Sequence, residues 1–317
     1  MANSKKKLAV IIPVFNEGGA ISQNLEEIRG AIRSIGIPFE ILLVDDGSTD
    51  NSWAEIATLT ENCCEVRAIR FSRNFGKEAA ILAGLENTDA DIYLVMDSDL
   101  QHPPQYVKGM LELMEKEKAD IVNGVKRGRI RENIFYRLLA GSFYRLLRLM
   151  TGLELKNSSD FKIMNSRVAD VLLSFEEKSI FFRGLVSWVG FKAVTYYFTP
   201  DHRERGASSF SNTKLLSLAQ HSTLAFTGKP LYFTILAGLL FLLISIVLSI
   251  QTLYNYLSGY AVSGFTTVIL LILFTGSLIL ISLGIIGVYL SMIYDETKNR
   301  PRFIIAERRE GESAIGR

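Results

Sequence analysis

Two aspartates stand one residue apart directly behind a short apolar run. The stretch VMDSDLQHP covers Val95 to Pro103 and overlaps the apolar residues 92–96. Side chains two positions apart on an extended strand point the same way, so the carboxylates of Asp97 and Asp99 repel each other unless a cation lies between them. The pattern therefore predicts a site for a divalent metal ion at the end of a buried strand.

Predicted strands and helices alternate around this pair. Apolar runs predict strands at 8–14, 39–44, 66–71, 92–96 and 119–122, and helical patterns separate them at 20–32, 52–59, 76–85 and 104–116. This alternation is typical of an α/β fold with a Rossmann-like, mostly parallel sheet that is covered on both faces. The sequence contains no G-x-G-x-x-G after the first strand and no G-x-x-x-x-G-K-[ST], which excludes the standard dinucleotide and P-loop sites.

Acidic residues follow three of these predicted strands. Glu17 comes after the first strand, VDDGSTD at 44–50 overlaps the end of the second, and the aspartate pair follows the fourth. Ligands of parallel sheets bind beyond the carboxyl ends of the strands, so the three loops are expected to share one site. Structural roles compete with this interpretation, because Asp50 can cap the next helix and Asp46-Gly47 is an ordinary turn signal.

Two long apolar segments lie near the C-terminus. Leu231 to Tyr254 and Phe265 to Tyr294 contain no charged residue. About 20 residues cross a bilayer core at about 1.5 Å per residue, so each segment predicts a transmembrane helix, with a pair of buried core helices as the alternative. The sequence thus predicts a main domain at 1–228, two transmembrane helices at 229–294 and a tail at 295–317.

Basic residues flank the two apolar segments on one side of the predicted membrane only. The connection 255–264 has no Lys or Arg, whereas Lys229 precedes the first segment and further basic residues follow the second, namely Lys298, Arg300, Arg302, Arg308 and Arg309. By the positive-inside rule, the main domain and the tail are expected in the cytoplasm, at the inner (plasma) membrane. The net charge of +2 gives no reason to expect a nucleic acid partner.

A basic amphipathic helix is predicted at Arg127 to Met150. Residues 126–148 contain seven basic side chains and one acidic one, and aromatic and aliphatic residues occupy another helical face. Such a helix suits an anionic membrane surface, although a helix packed on the sheet with a solvated basic face explains the pattern as well. Thr213 to Phe226 is a second candidate for an interfacial helix.

Several motifs of the chain resemble those of glycosyltransferase family 2. The motifs are VIIPVFNE, LLVDDGSTD, RNFGKEAAILAGL, VMDSDLQHPP and SSDFKIMNS, in this order. They are similar to those of the members that transfer a sugar from a nucleotide to a polyprenyl phosphate, such as bactoprenol glucosyltransferases and dolichyl-phosphate mannose synthases. The resemblance implies a GT-A fold, a cytoplasmic nucleotide-sugar site and inverting transfer to polyprenyl (undecaprenyl) phosphate.

The resemblance also implies roles on the donor side. Mg²⁺ or Mn²⁺, which prefer oxygen ligands, would be held by Asp97, Asp99 and the amide oxygen of Gln101. The base and ribose of the nucleotide would contact Pro13, Phe15, Glu17 and Asp46, and its diphosphate would contact Lys126 or Arg127. Asn74 to Lys77 precede a helix whose first N–H groups can receive an anion, although an ordinary helix start is an equally good explanation.

On the acceptor side, Asp160 in SSDFKIMNS matches the position that the family assigns to a catalytic base. The second pKa of a phosphate monoester is about 6, so the acceptor is already mostly ionised near neutral pH and needs no strong base. Orienting the acceptor or a sugar hydroxyl is therefore an equally good role for Asp160.

The segment HRERGASSFS at 202–211 matches a family loop that binds phosphate. It keeps Arg203 and Ser208 but has Ser209 where the family usually has Lys. Arg205 is the expected substitute, because a guanidinium can bind phosphate through two parallel hydrogen bonds.

The sequence leaves several functional alternatives open. UDP-glucose is the predicted donor, but mannose, galactose and amino-arabinose differ from glucose by a few contacts only. Aspartyl phosphatases also place D-x-D after an apolar strand, usually the first one, and use the first aspartate as nucleophile. A membrane scaffold or small transporter subunit is a third reading, although neither apolar segment carries an ionisable residue in its interior. A homo-oligomer is neither indicated nor excluded.

Overall fold

The computed structural model describes residues 6–126, 159–177, 181–199, 229–259 and 264–311. The strands are β1 Leu8–Val14, β2 Phe39–Asp45, β3 Val66–Phe71, β4 Ile92–Val95, β5 Ile121–Lys126, β6 Lys162–Asn165, β7 Ala193–Phe198 and β8 Ile305–Arg309. The helices are α1 Ile21–Arg33, α2 Ser52–Asn62, α3 Lys77–Glu86, α4 Val107–Glu117, α5 Ser166–Ser174, α6 Phe182–Trp188, α7 Lys229–Leu257 and α8 Phe265–Thr297, with a 3₁₀ turn at Pro104–Tyr106.

The described strands form one eight-stranded mixed sheet in the order β7-β5-β6-β4-β1-β2-β3-β8. The pairs β1–β2, β1–β4, β2–β3 and β5–β7 are parallel, which confirms the predicted α/β class. Antiparallel pairs arise where β6 inserts between β4 and β5 and where β8 joins the edge of β3. Neither β6 nor β8 was predicted from the sequence, and neither was β7.

Helices cover both faces of the sheet because the strand residues alternate between them. In β2, Ile41 and Leu43 pack in a core cluster with α1, α2 and α4, whereas Leu42 and Val44 pack with the alanines of α3. All seven residues of β1 are buried. Because helices pack on both faces of the sheet, the strand ends are held in place, and so are the starting points of the loops that follow them.

The two C-terminal helices form a compact unit of their own. Both are long and apolar enough to cross a membrane, with mean hydropathies of 2.4 over Leu236–Asn255 and 2.2 over Phe274–Thr297. Within this unit, Phe241 of α7 stacks on Phe274 of α8 with ring centroids 4.7 Å apart. Residues 300–311 belong to the unit that contains the sheet.

Some of the sequence predictions fall outside the described residues. They are the amphipathic helices at 127–150 and 213–226, the diphosphate contact Arg127, and the acceptor-phosphate residues Arg203, Arg205 and Ser208.

Candidate functional site

A cavity of about 290 Å³ lies at the carboxyl edge of the sheet. Six residues predicted from the sequence line it, namely Pro13, Phe15, Glu17, Asp46, Asp97 and Asp99. Asn74, Gly76 and Lys77, from the loop that leads into α3, also line it. The parallel register explains the convergence, because Val14 pairs with Asp45 and Ile11 with Val95, so that β1, β2 and β4 end side by side.

The loop after β1 is tied to the loop after β2 by hydrogen bonds. The Asn16 N–H donates to Ser48 Oγ at 3.0 Å, and the Thr49 N–H donates to Asn16 Oδ1 at 2.9 Å. Asn16 adopts a left-handed backbone conformation with φ of 53°, which asparagine tolerates better than most residues. The Glu17 N–H donates to Ser52 Oγ at 2.8 Å. The first two acidic loops therefore form one connected wall.

Asp46 is nearly buried, and its carboxylate accepts backbone hydrogen bonds from the start of α3. The Phe75 N–H donates to Oδ1 at 2.7 Å, and the Gly76 N–H donates to both oxygens at 3.1 and 3.0 Å. Burial raises the pKa of Asp46, and these hydrogen bonds oppose the shift. The N–H groups at the start of α3 therefore bind the Asp46 carboxylate, which is the anion at this helix start.

Both structural alternatives proposed for this region are present in the molecule. Gly47 has φ of 69°, and a Cβ atom there would lie 2.5 Å from the carbonyl carbon of Arg73, so only glycine fits this turn. Asp50 Oδ1 accepts the Ser52 N–H at 3.0 Å at the start of α2, while Oδ2 accepts the Gly18 N–H at 2.9 Å. Asp50 therefore holds the loops together.

Glu17 reaches from the β1 loop towards the aspartate pair. The Ser98 hydroxyl donates a hydrogen bond to Glu17 Oε2. Burial raises the pKa of Glu17, and the negative charges of Asp99 and Asp97 add to that effect. The site therefore concentrates negative charge, which favours a cationic occupant.

Lys77 supplies one such cation. Its ammonium nitrogen lies 2.5 Å from Asp97 Oδ1 and 2.9 Å from Asp160 Oδ2. Burial alone would lower the pKa of Lys77, but the charges of Asp97 and Asp160 outweigh it and raise the pKa. Lys77 thus joins the predicted metal-binding aspartate to the predicted catalytic aspartate, a contact that the sequence did not indicate.

Asp160 lies between two cations. Arg183 of α6 donates to it through two parallel hydrogen bonds, Nε to Oδ1 at 2.6 Å and a terminal nitrogen to Oδ2 at 2.7 Å. Burial would raise the pKa of Asp160, but Arg183 and Lys77 together lower it well below its usual range. The carboxylate is therefore ionised and a weak proton acceptor. Arg183 was not identified from the sequence.

A second layer of charged side chains lies next to Asp160. Lys162 of β6 is fully buried, its Nζ has no hydrogen-bond partner among the described residues, and it lies 4.8 Å from the ring centroid of Phe182. Burial lowers its pKa to about 8. Glu78 Oε2 accepts the Phe182 N–H at 2.9 Å, and burial, assisted by the charge of Asp160, raises the pKa of Glu78 to about 7.

His102 orients the aspartate loop. The Asp97 N–H donates to His102 Nδ1 at 3.3 Å, and the imidazole stacks on Phe161 with centroids 5.0 Å apart. Because Nδ1 accepts, the neutral ring carries its proton on Nε2. Burial lowers the pKa of His102 against the opposing charge of Asp97, and the charges of Lys77 and Lys126 lower it further, which favours the neutral ring.

Three described site predictions do not line the cavity, namely Gln101, Lys126 and Asp160, although Asp160 contacts Lys77, which does line it. Gln101 is exposed, and its N–H donates to Asp99 Oδ1 at 2.9 Å. Lys126 is exposed at the end of β5.

Among the described residues, no group of three or more His, Cys, Asp or Glu side chains could hold a metal ion. Asp97 and Asp99 nevertheless line one cavity. Magnesium is commonly held by one or two carboxylates together with phosphate oxygens of a substrate. The aspartate pair fits a site of that kind.

Comparisons with known proteins agree with one another. The sequence model of glycosyl transferase family 2 matches residues 9–173. The chain is 34% identical over 302 residues to the putative glycosyltransferase CsbB of Bacillus subtilis (strain 168), covering 95% of this chain and 91% of that protein. It is 31% identical over 305 residues to the bactoprenol glucosyl transferase of Shigella phage SfX, covering 96% of this chain and 100% of that protein.

Among solved structures, the chain is similar to the mannosyltransferase PcManGT from Pyrobaculum calidifontis in complex with GDP-Man and Mn²⁺. The TM-score is 0.49 at 18% sequence identity, and the match covers 70% of this chain and 64% of that one.

Proposed function

Because the chain belongs to glycosyl transferase family 2, a glycosyltransferase family with the GT-A fold, we propose that it transfers a hexose from a nucleotide sugar to polyprenyl phosphate. The donor that we propose is UDP-glucose and the acceptor is undecaprenyl phosphate. The similarity to a bactoprenol glucosyl transferase over nearly the whole chain supports both choices. The observation that carries the proposal is the carboxyl-edge cavity in which Asp97 and Asp99 meet Glu17 and Lys77.

The donor occupies this cavity in the proposal. Pro13, Phe15, Glu17 and Asp46 hold the base and ribose, with Phe15 offering an exposed ring at the rim. Asp97 and Asp99, with Gln101, would hold Mg²⁺ or Mn²⁺, which supplies positive charge to the diphosphate when bound. Lys126 and Arg127 are the proposed side-chain contacts of the diphosphate.

Lys77 adds positive charge to the same place. Its ammonium lies between Asp97 and Asp160, at the junction of the proposed donor and acceptor sides. A diphosphate leaving group gains negative charge as its bond to the sugar breaks, and a fixed ammonium stabilises that charge. We therefore assign Lys77 to leaving-group stabilisation.

The reaction that we propose is a single displacement. An oxygen of the lipid phosphate attacks the anomeric carbon, the bond from that carbon to the diphosphate breaks, and the electron pair leaves with UDP. The attacking phosphate carries no proton that must be removed, so no general base is required. Asp160, held ionised by Arg183, orients Lys77 and the acceptor side of the site.

The membrane context follows from the C-terminal helices and the acceptor. Two helices that are long and apolar enough to cross a bilayer suit an enzyme whose acceptor is a lipid. We propose that the sheet domain lies on the cytoplasmic side of the inner membrane, because basic residues flank the two segments on that side only. Arg203, Arg205 and Ser208 are the proposed contacts of the lipid phosphate.

Because the chain belongs to this family, glycosyl transfer is the function to test first, ahead of the phosphatase and membrane-scaffold alternatives. Within it, mannose, galactose and amino-arabinose remain alternative sugars.

The test is a donor screen with the purified full-length chain in nanodiscs that contain polyprenyl phosphate. Each radiolabelled nucleotide sugar is added separately, with Mg²⁺ or Mn²⁺, and the lipid extract is counted and analysed by mass spectrometry. We expect label from UDP-glucose in a lipid product that has gained one hexose. Label from another sugar only would overturn the choice of glucose. No lipid label from any donor would overturn the transfer itself.

A further inference from the structure

The last described strand is part of the catalytic sheet. Ile305–Arg309 pairs antiparallel with β3, and Phe303 just before it stacks on Phe71 with centroids 5.1 Å apart and planes 13° apart. Gly311 just after it lies so close to the turn before β3 that a Cβ atom would be 2.6 Å from the carbonyl oxygen of Cys63. The strand is therefore fitted to this edge at both of its ends.

Glu307, in the middle of β8, connects two side chains of the main domain. One carboxylate oxygen accepts the indole N–H of Trp53 at 3.2 Å, and the other accepts a guanidinium N–H of Arg70 at 3.4 Å. Arg70 also lies over the Trp53 ring, 5.6 Å from its centroid. The pair is partly exposed, with 30% of the Arg70 side chain and 44% of the Glu307 side chain accessible.

Arg70 also contacts the end of β2 and the loop that follows it. Its Nε lies 3.2 Å from Oδ2 of Asp45, which is fully buried, and a terminal nitrogen donates to the Ser48 carbonyl at 3.1 Å. The guanidinium thus uses its fork to hold Glu307, Asp45 and Ser48 at once. A lysine has one ammonium on a flexible stem and cannot reproduce this geometry.

The loop that Arg70 holds contributes to the wall of the donor cavity. Ser48 Oγ accepts the Asn16 N–H, and Asn16 lies between Phe15 and Glu17, both of which line the cavity. Asp46, also in the loop, lines it as well. A continuous chain of contacts therefore runs from Glu307 through Arg70 and Ser48 to the β1 loop.

We propose that β8 is a working part of the donor site, and that Glu307 and Arg70 are positioning residues for donor binding. They touch no substrate. They hold the loops at 15–17 and 45–49 in the conformation that receives the nucleotide. The identity of the nucleotide rests on the proposed function, whereas the coupling between β8 and these loops does not.

A matched pair of variants tests this role. Glu307→Gln removes the charge that faces Arg70, and Glu310→Gln removes a charge that faces Arg67 at 3.3 Å on the same edge. Among the described residues, Arg67 also contacts Glu40 and the Asn87 carbonyl oxygen, neither of which belongs to the donor loops. Glu310→Gln thus reproduces the loss of an edge ion pair without the connection to the cavity.

With UDP-glucose as the varied substrate, we expect Glu307→Gln to raise KM about fivefold, the upper end of what a partly exposed ion pair contributes, with kcat unchanged. Glu310→Gln should leave both constants at the wild-type values. Arg70→Lys should raise KM at least as much as Glu307→Gln. Equal donor KM values for the two glutamine variants would overturn the proposal. It would also be overturned if Glu307→Gln raised the KM for the acceptor as much as the KM for the donor.

Hydrogen exchange measured on the same proteins separates this inference from the proposed function. In Glu307→Gln, peptides covering residues 14–20 and 45–52 should exchange faster than in wild type, and in Glu310→Gln they should not. Unchanged exchange in both variants would overturn the coupling. If these peptides exchange faster in Glu307→Gln but the wild-type protein transfers no sugar, the coupling would be supported and the proposed function overturned.

Discussion

At the scale of single residues, the site is a balance of charges in which Lys77 and Arg183 pair with Asp160 beside the acidic residues of the cavity. The acidic members were predictable because they follow strands whose carboxyl ends meet. Lys77 and Arg183 were not, because a lysine at a helix start and an arginine in FFRGLV have many ordinary explanations. Their roles depend on tertiary contacts with Asp160, which is 83 residues from Lys77 and 23 residues from Arg183.

The role of Asp160 can be tested through the pH dependence of transfer. If the lipid phosphate is the nucleophile, the rate should fall as the pH drops through about 6, where this group takes up a proton. Asp160→Asn should lower kcat but keep the same acidic limb. Rates of both proteins measured from pH 5 to 8 with saturating donor provide the test. Loss of the limb in the variant would indicate that Asp160 accepts a proton.

Arg183 should affect catalysis through Asp160. Arg183→Gln removes the two parallel hydrogen bonds and leaves a nearly buried carboxylate paired with Lys77. We expect kcat to fall about tenfold to a hundredfold, as charge-assisted pairs are worth more than neutral ones. Arg183→Lys should recover only part of this loss. Full activity of Arg183→Gln would show that the ion pair is not needed.

Glu78 should make stability depend on pH. Its pKa is raised from 4.5 to about 7, so the folded protein binds more protons than the unfolded chain between these values. Stability therefore falls as pH rises through this window and is lowest, for this group, above pH 7. Glu78→Gln, which keeps an acceptor for the Phe182 N–H, should show a smaller fall in Tm from pH 5 to 8, by a few degrees. Identical pH profiles of Tm would contradict this.

At the scale of elements, the regular part of the sheet was predictable and its edges were not. β1 to β4 are short apolar runs, and they lie within about one residue of their predicted bounds. β8 reads IAERR, which has no apolar pattern, and it pairs with a strand more than 200 residues earlier in the chain. Since edge strands are often charged, local sequence gives little indication of them.

The packing of α3 on β1 gives a prediction at this scale. A Cβ atom at Gly84 would lie 2.2 Å from Cγ2 of Ile11, in the middle of the buried strand. Gly84→Ala should lower the free energy of unfolding by about 1–3 kcal/mol, measured by denaturant or thermal unfolding. The matched control is Gly30→Ala in α1, where a Cβ atom would meet no described residue within 4 Å beyond its own helix, and which should stabilise the protein by about 0.5–1 kcal/mol. Equal effects would contradict the packing argument.

At the scale of the whole molecule, one chain combines a family 2 glycosyltransferase domain with two helices suited to a bilayer. The lipid acceptor that we propose would require both parts, because its phosphate would lie at the membrane surface while the proposed nucleotide sugar is soluble. Because the net charge is only +2, binding of the two phosphates in the proposed reaction must depend on local cationic groups such as Lys77.

The central claim is that the residues lining the carboxyl-edge cavity catalyse the transfer of a sugar to a lipid phosphate. Its most direct test compares wild type with Asp99→Asn in nanodiscs that contain polyprenyl phosphate, supplied with radiolabelled UDP-glucose. We predict labelled lipid from wild type and at least a hundredfold less from Asp99→Asn, with equal amounts of folded, membrane-inserted protein. Substantial transfer by Asp99→Asn would contradict the account of this site.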